Sequence, residues 1–581
     1  MSGFIKGDSE YYKKLWHSAS HVLADAVKEL FPEAKLGIGP AAKIGFYYDF
    51  DVKRPFTEDD LKKIEAKMKD IIEKDHKFKK EDITKADAKK LFKDEPYKLE
   101  LIEGIEGTLS IYRHGKFVDL CKGPHVESTS EIKAFKLLRV AGAYWRGSEK
   151  NPMLQRIYGI AFPSQEELNA YLKHIEEVGE RNHITIGKNL EIFSQHEEAP
   201  GFPFFLPKGT IIWDEIISFW KDLHRKENYN FVMTPMIMSK SLWVMSGHWD
   251  HYRKNMYFTE IDDRDFAVKP MNCPGHILIY KEKRHSYKEL PIKFAELGIV
   301  HRHERSGVLH GLFRVRKFTQ DDAHIFCTED QLKDEIKKII LLTKKIYSTF
   351  GFTEYEIELS TRPENSMGTE EQWTQATDAL KDALKDLGLS YKIREGEGAF
   401  YGPKIDFHIK DSLEREWQCA TIQVDFSMPE KFGLFYIGAD DKKHKPVMIH
   451  RAILGSIERF MGVLIENYGG ALPTWLSPIQ ARVIPISDKN NAYAEKIVGA
   501  LKSLGIRVDA DYSKETLSKK IRSAQSEKIP YMLIVGDAEE KNSTITVRAR
   551  NGAIKKNLRF EDFTDSICKE INERFNELSI R

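Results

Sequence analysis

Alternation along residues 313–327, FRVRKFTQDDAHIFC, would set Arg314, Arg316, Phe318, Gln320, Asp322 and His324 on one face of an extended strand. Two guanidinium groups, an aromatic ring, an amide, a carboxylate and an imidazole in one row make a floor suited to a phosphate-bearing ligand. A merely solvated strand face more often carries Lys, Glu and Thr. A second group pairs His17 and His21, four residues apart and so on one side of a helix, with Cys121 and His125 of the segment DLCKGPH. Three imidazoles and a thiol are a plausible four-ligand set for Zn2+; the alternative is helix histidines that cap or pack beside an unrelated cysteine.

Both groups need elements to hold them. Residues 294–304 (FAELGIVHRHE) and 313–327 are β-branched and aromatic runs joined by a Ser-Gly-containing loop, the pattern of two antiparallel strands. Residues 8–31 space Leu15, Val22, Leu23, Ala26, Val27 and Leu30 as a helix does, with Asp8-Ser9 as a start signal and Pro32 as a stop. The Lys- and Glu-rich residues 57–95 read as one or two surface helices, and 163–185 as a linking helix. An amphipathic helix over 210–228 precedes the strand-like FVMTPMIM, whose Pro235 fits a strand edge or interface. Residues 331–350 look helical, while 354–361, 400–408 and 416–426 alternate as strands, so a large antiparallel sheet is the economical assembly. The run MIHRAILGSIERFMGVLIENYGG reads as a single apolar helix ended by Gly469-Gly470 and carrying His450 and Arg459. From Ser477 onward strands and helices alternate, the mark of a small α/β domain with a mostly parallel sheet. There 19 Lys+Arg stand against 15 Asp+Glu, a mild lean toward RNA, for which Lys519, Arg522, Arg548 and Arg550 are the cations in place.

A chain of 581 residues exceeds one core, and the expected division is 1–162, a linking helix over 163–185, 186–475 and 476–581. The fold class is therefore α/β and α+β multidomain: an N-terminal α+β domain, an antiparallel-sheet domain, and a C-terminal α/β domain. A net charge of +1 does not announce a nucleic-acid binder, because the electrostatic footprint of one depends on where the charge sits. Five scattered cysteines argue against a disulfide framework and for a reducing compartment. MSGFIKGDSEYY has no apolar leader core and no run approaches the roughly 18 apolar residues of a membrane span, so the expectation is a cytoplasmic protein without a membrane partner.

HRHERSG (301–307), FRVRKFTQDDAHIF (313–326) and GSIERF (455–460) resemble motifs 2 and 3 of class II aminoacyl-tRNA synthetases. MNCPGH (271–276) and FYGPKIDF (400–407) narrow the resemblance to the threonyl-tRNA synthetase family, bacterial type. It implies an editing domain over 1–162, a class II catalytic domain over 186–475 and an anticodon-binding domain over 476–581. The implied activity is ATP-dependent activation of L-threonine, its transfer to tRNA(Thr), and hydrolysis of mischarged Ser-tRNA(Thr) at a separate site. By motif position, Arg302 would grip the α-phosphate and Arg459 the γ-phosphate, with Lys404 as a further catalytic residue. Glu304, Phe318 and Gln418 would complete the ATP site, with Mg2+ on the phosphates. Cys273, His324 and His450 match the family's Zn2+ ligands, one per subunit, leaving an open position for the amino and hydroxyl groups of threonine. Met271, Gln320, Asp322, Tyr401 and Gln423 would line that pocket. His17, His21, Cys121 and His125 look like the editing site, supported by Asp119 and Lys98, and the resemblance assigns them to hydrolysis, not metal binding. The helix and strand around Pro235 resemble motif 1, which implies a homodimer. His303 and Lys317 depart from the expected Asn and Gly, and the resemblance implies a bacterial type without the small N-terminal domain that full-length relatives carry before the editing domain. A metal-dependent hydrolase on an RNA-binding platform would leave Arg302, Glu304 and Arg459 without a task, and a silent RNA-binding relative would not keep all three sets of positions filled.

Overall fold

The computed structural model describes residues 9–42, 44–148, 150–412 and 415–580. It forms two compact units, Met1–Gly179 and Glu180–Arg581. In the first, the helix Ser9–Leu30 buries Leu15, Trp16, Ala19, Val22, Leu23, Ala26 and Val27 against an antiparallel sheet. That sheet runs Lys35–Leu36, Phe46–Asp51, Met153–Phe162, Ala134–Tyr144. Asp8, half of the expected start signal, lies outside the described residues. A second sheet, Lys79–Ile83, Leu109–His114 and Phe117–Leu120, carries the Cys121–His125 loop at its end. Its first strand corrects the reading of 57–95 as helices alone: between the helices Glu58–Glu73 and Lys85–Leu91 the charged run KKEDI is an exposed edge strand. A charged, solvated strand carries no apolar alternation to betray it.

The second unit is built on eight strands in the order Asn230–Phe231, Ile292–His301, Lys317–Cys327, Val447–Ala452, Glu416–Asp425, Lys404–Lys410, Tyr355–Ser360, Lys392–Arg394. All the inner pairings are antiparallel, and only the two edge strands pair in parallel. The helices Pro207–Lys226, Glu329–Thr349, Glu370–Asp386 and Ile457–Tyr468 pack an apolar core on one face. The other face is left for polar side chains. The long run from Met448 is not one helix: Val447–Ala452 is a central strand, and the helix begins only after Ser456, whose Oγ accepts from the backbone N–H of Arg459 at 3.1 Å. His450 is therefore a strand residue. FVMTPMIM contributes only Phe231 to the large sheet and Ile237 onward to a small three-stranded one, with Pro235 between them.

Residues 481–559 form a five-stranded sheet ordered Val508–Ala510, Ala481–Pro485, Tyr531–Val535, Thr544–Ala549, Ile554–Arg559. Two pairings are parallel and two antiparallel, so it is mixed rather than mostly parallel. Arg507 ties it to the helix Pro207–Lys226 by pairing with Glu215, and donates to the carbonyls of Ser477 (3.0 Å) and Trp475 (2.7 Å).

Asp321, fully buried, knits the turn before the helix Ile457–Tyr468: it accepts from the backbone N–H of Ile453 (2.9 Å), Leu454 (3.0 Å) and Gly455 (2.9 Å), and from Trp220 Nε1 (3.2 Å). Asp321→Ala is expected to lower the unfolding free energy by about 3 kcal/mol or more, since each buried donor left unpaired costs about 1–3 kcal/mol. The midpoint of a denaturant titration measures it.

Candidate functional site

Register assembles the site. His324 pairs with His450, His450 with Gln423, and Gln423 with Lys404, so these four residues form one row across four adjacent strands. Two residues back along the same strand face come Asp322, then Gln320 and Phe318. Cys273 enters from the helix Cys273–Lys281, whose preceding Asn272 donates to Asp322 Oδ2 at 2.9 Å. Gly298 permits that approach, because a Cβ there would fall 2.2 Å from the Asn272 amide.

All the residues named from the sequence for ATP, threonine and metal line one cleft of about 720 Å³, a size ordinary for a small-molecule site. Arg314 joins them, but Arg316 does not. The strand starts only at Lys317, and Arg316 turns instead to the Glu304 carbonyl (2.9 Å), the Pro200 carbonyl (3.1 Å) and Ser306 Oγ (3.2 Å). The Arg302 guanidinium lies 5.0 Å from the Phe318 ring centroid and 5.4 Å from that of Tyr252, with Nε donating to the Pro270 carbonyl at 3.2 Å. Arg459 Nε donates to the Phe313 carbonyl at 3.1 Å. Glu304 accepts from Arg314 Nε at 3.0 Å, and Lys404 pairs with Asp406 at 2.6 Å. Tyr401 donates to Gln423 and its ring stands 4.8 Å from that of His450.

Cys273, His324 and His450, all buried, offer donor atoms within 4.8 Å of one another. The set fits a metal. Burial pushes the bare Cys273 thiol far above its usual range, with the charges of Asp322 and Asp425 adding to it, so an ionised sulfur there needs a cation. Burial also keeps His324 neutral, the form that ligates. Each imidazole has one nitrogen engaged outward, His450 Nε2 with Asp425 Oδ2 (3.0 Å) and His324 Nδ1 with His276 Nδ1 (2.8 Å), leaving the other for a ligand bond. Sequence reasoning missed His248, fully buried with Nε2 at 2.9 Å from Met271 Sδ and 3.8 Å from Cys273 Sγ, where burial lowers its pKa to about 3. It also missed Tyr252, Asn272, His276 and Asp425. Asn272 and His276 lay within the MNCPGH motif, where the sequence gives them no role, and only the tertiary fold brings His248, Tyr252 and Asp425 near.

In the first unit, His17, His21, Cys121 and His125 likewise gather within 4.8 Å and could hold a metal ion. Cys121 Sγ lies 3.3 Å from His17 Nε2 and 3.2 Å from His125 Nε2. Behind them Asp119 pairs with the buried Lys98 at 2.5 Å and accepts from Tyr48 at 2.6 Å, while His21 Nε2 stands 3.7 Å away. Tyr48 is the member that the sequence did not announce. In the C-terminal sheet, Arg550 is corrected as an RNA contact: its guanidinium donates to the carbonyls of Lys528 (2.7 Å), Ala471 (2.9 Å) and Leu472 (2.9 Å). Lys519 pairs with Glu515 on the surface, and Arg522 is exposed. No helix among the described residues is long and apolar enough to cross a membrane.

Three family profiles match in chain order: "Threonyl and Alanyl tRNA synthetase second additional domain" over 109–158, "tRNA synthetase class II core domain (G, H, P, S and T)" over 257–468, and "Anticodon binding domain" over 480–570. The chain is similar to the threonine–tRNA ligase of Thermotoga maritima, 57% identical over 576 residues, 98% of this chain and 89% of that one. It is also 56% identical to the enzyme of that name from Acetivibrio thermocellus over 564 residues, 96% of this chain and 89% of its relative. Among solved structures, one described as the RNA binding domain of threonyl-tRNA synthetase from Cryptosporidium parvum superposes with a TM-score of 0.65 at 41% identity, covering 69% of this chain and all of its own. The cleft that gathers Cys273, His324 and His450 beside Arg302 and Arg459 is thus found in a chain that belongs to the threonine–tRNA ligase family of class II aminoacyl-tRNA synthetases.

Proposed function

We propose that the chain activates L-threonine with ATP, transfers it to tRNA(Thr), and hydrolyses Ser-tRNA(Thr) at the His17/His21/Cys121/His125 cluster. The observation that carries this is the single row of His324, His450, Gln423 and Lys404, with Cys273 beside it, continuous with the arginines and Phe318. Arg302 and Arg459 hold the phosphates, Phe318 and Glu304 the adenine, with Gln418 beside them, and Mg2+ comes with the nucleotide. Lys404, Gln320, Asp322, Tyr401, Gln423 and Met271 place the amino acid. Cys273, His324 and His450 would hold Zn2+, which when bound supplies a Lewis-acid position for an amine and a neighbouring hydroxyl.

The physical logic is one of discrimination. A pocket that must engage a hydroxyl rejects the isostere lacking it by roughly 10⁴ or more, which excludes valine; a missing methyl is worth only about 1–3 kcal/mol, so serine enters and a second, hydrolytic site is needed. Amino-acid-dependent exchange of pyrophosphate into ATP tests this. Threonine is expected to support exchange, serine weakly and valine not at all; absence of exchange with every amino acid overturns the assignment.

The homodimer belongs to the same proposal. Phe231, Met236 and Ile237 are exposed and Met233 is 92% exposed, an apolar row that a second copy would cover. Met233→Asp is expected to shift the protein from dimer to monomer in light scattering, and a monomeric parent protein refutes the interface. All five cysteines are free, which suits a reducing cytoplasm.

A further inference from the structure

Behind the metal-ligating row runs a buried hydrogen-bonded chain that threonine activation leaves without a task. Glu296 accepts from the Thr234 backbone N–H (2.8 Å), Thr234 Oγ1 (2.9 Å) and Lys269 Nζ (3.1 Å), and lies 3.1 Å from His276 Nε2. His276 Nδ1 in turn lies 2.8 Å from His324 Nδ1. Glu296, Lys269, His276 and His324 are buried and Thr234 is half-buried, and taking the Lys269–Glu296 pair out of water costs several kcal/mol per ion before its Coulomb attraction is counted. Such a pair calls for a purpose that an apolar filling would not serve. The helix holding His276 can lie against Thr234 because residue 275 is glycine, whose added Cβ would meet Thr234 Cγ2 at 2.7 Å.

The chain reads in one direction only. Glu296, balanced by Lys269, has nothing to donate, so the proton of the His276 contact sits on Nε2. In a neutral His276 the Nδ1 is then a bare acceptor, and the Nδ1–Nδ1 contact places the proton on His324 Nδ1. His324 Nε2, 3.9 Å from Asp322 Oδ1, is left with its lone pair for a ligand bond in the Cys273/His324/His450 set. His450 reaches the same end by a shorter route, through Asp425, whose Oδ1 is fixed by the backbone N–H groups of Ser427 (2.7 Å) and Met428 (2.9 Å).

We propose that His276 is a positioning residue which, anchored on Glu296, Lys269 and Thr234, locks His324 in the tautomer that binds the metal. The inference rests on the metal reading of the Cys273/His324/His450 site given above. Two substitutions at one position separate it from a packing role. Asn places its amide oxygen near the position of Nδ1 and keeps the acceptor for His324, whereas Gln reaches the position of Nε2 and keeps only the contact to Glu296. Zinc affinity of the full chain is measured by competition with a chromophoric chelator, and the ligand field by the visible spectrum after Co2+ substitution. H276Q is expected to weaken zinc by about 10–100-fold and to alter the Co2+ spectrum, while H276N stays within about threefold of the parent. Equal affinities in all three proteins, or H276N weaker than H276Q, overturn the relay while leaving the metal site standing. A parent protein that retains no zinc overturns the metal reading and the relay together.

Discussion

Arg302→Ala and Arg459→Ala are each expected to lower threonine-dependent ATP–pyrophosphate exchange by about 10²–10³-fold, because one preorganised donor aimed at developing charge is worth about 2.7–4 kcal/mol. Both side chains are fixed before any ligand arrives. Arg302 lies close to both the Phe318 and Tyr252 rings and is anchored through Nε on the Pro270 carbonyl; Arg459 is anchored through Nε on the Phe313 carbonyl. Anchoring through Nε leaves the terminal nitrogens of each fork for phosphate oxygens. Lysine keeps the charge but not the planar fork or the ring contact, so Arg302→Lys should recover little of the loss. Exchange rates at saturating ATP and threonine measure the effect, with the thermal transition checked against the parent. A loss below about tenfold in both alanine variants would remove the phosphate-clamp assignment, since it falls short of one charged donor.

How much of this was legible depends on how local each signal is. The pair 294–304 and 313–327 could be read because alternation and a Ser-Gly loop lie within one stretch, and the structure pairs Ile292–His301 with Lys317–Cys327. Arg316 was misplaced by a single residue of strand onset, since the backbone before Lys317 no longer alternates. The sequence reads His450 as helical because a buried central strand flanked by apolar sequence has no period to distinguish it from a buried helix. The missed signal was Gly455-Ser456: Ser456 is the helix cap, and Gly455, at φ 82°, breaks the chain before it. The antiparallel core was accessible for the reason the outer supports were not. Asp425, His276 and Glu296 act on the site through partners far away in sequence, and a lone buried polar residue carries no mark of the partner it will meet.

His125→Ala and His21→Ala are expected to slow hydrolysis of Ser-tRNA(Thr) by about 10²–10⁴-fold, the usual worth of a positioned acid or base, while exchange of pyrophosphate with threonine is unchanged. Hydrogen bonds fix which nitrogens are available. Ser18 Oγ donates to the Lys14 carbonyl at 2.8 Å, so it accepts the Nδ1–H of His125 at 3.1 Å; His17 Nδ1–H donates to the Pro124 carbonyl at 3.1 Å. Both rings therefore present bare Nε2 atoms to Cys121 Sγ, and the buried His21 Nδ1 has no hydrogen-bond partner among the described residues. Burial lowers the pKa of His17, His21 and His125 and raises that of Cys121 to about 12, so near neutral pH the cluster holds neutral imidazoles and a protonated thiol. Neutral imidazoles can take a proton from a water attacking the seryl ester and return it to the departing ribose hydroxyl. Since burial lowers their pKa, the basic form persists on acidification, and single-turnover deacylation should hold its rate from pH 8 down to pH 6 instead of falling through the ordinary histidine range near 6.5. A rate that drops tenfold over that interval, or clearance of Ser-tRNA unaffected by both substitutions, would take the hydrolysis away from this cluster.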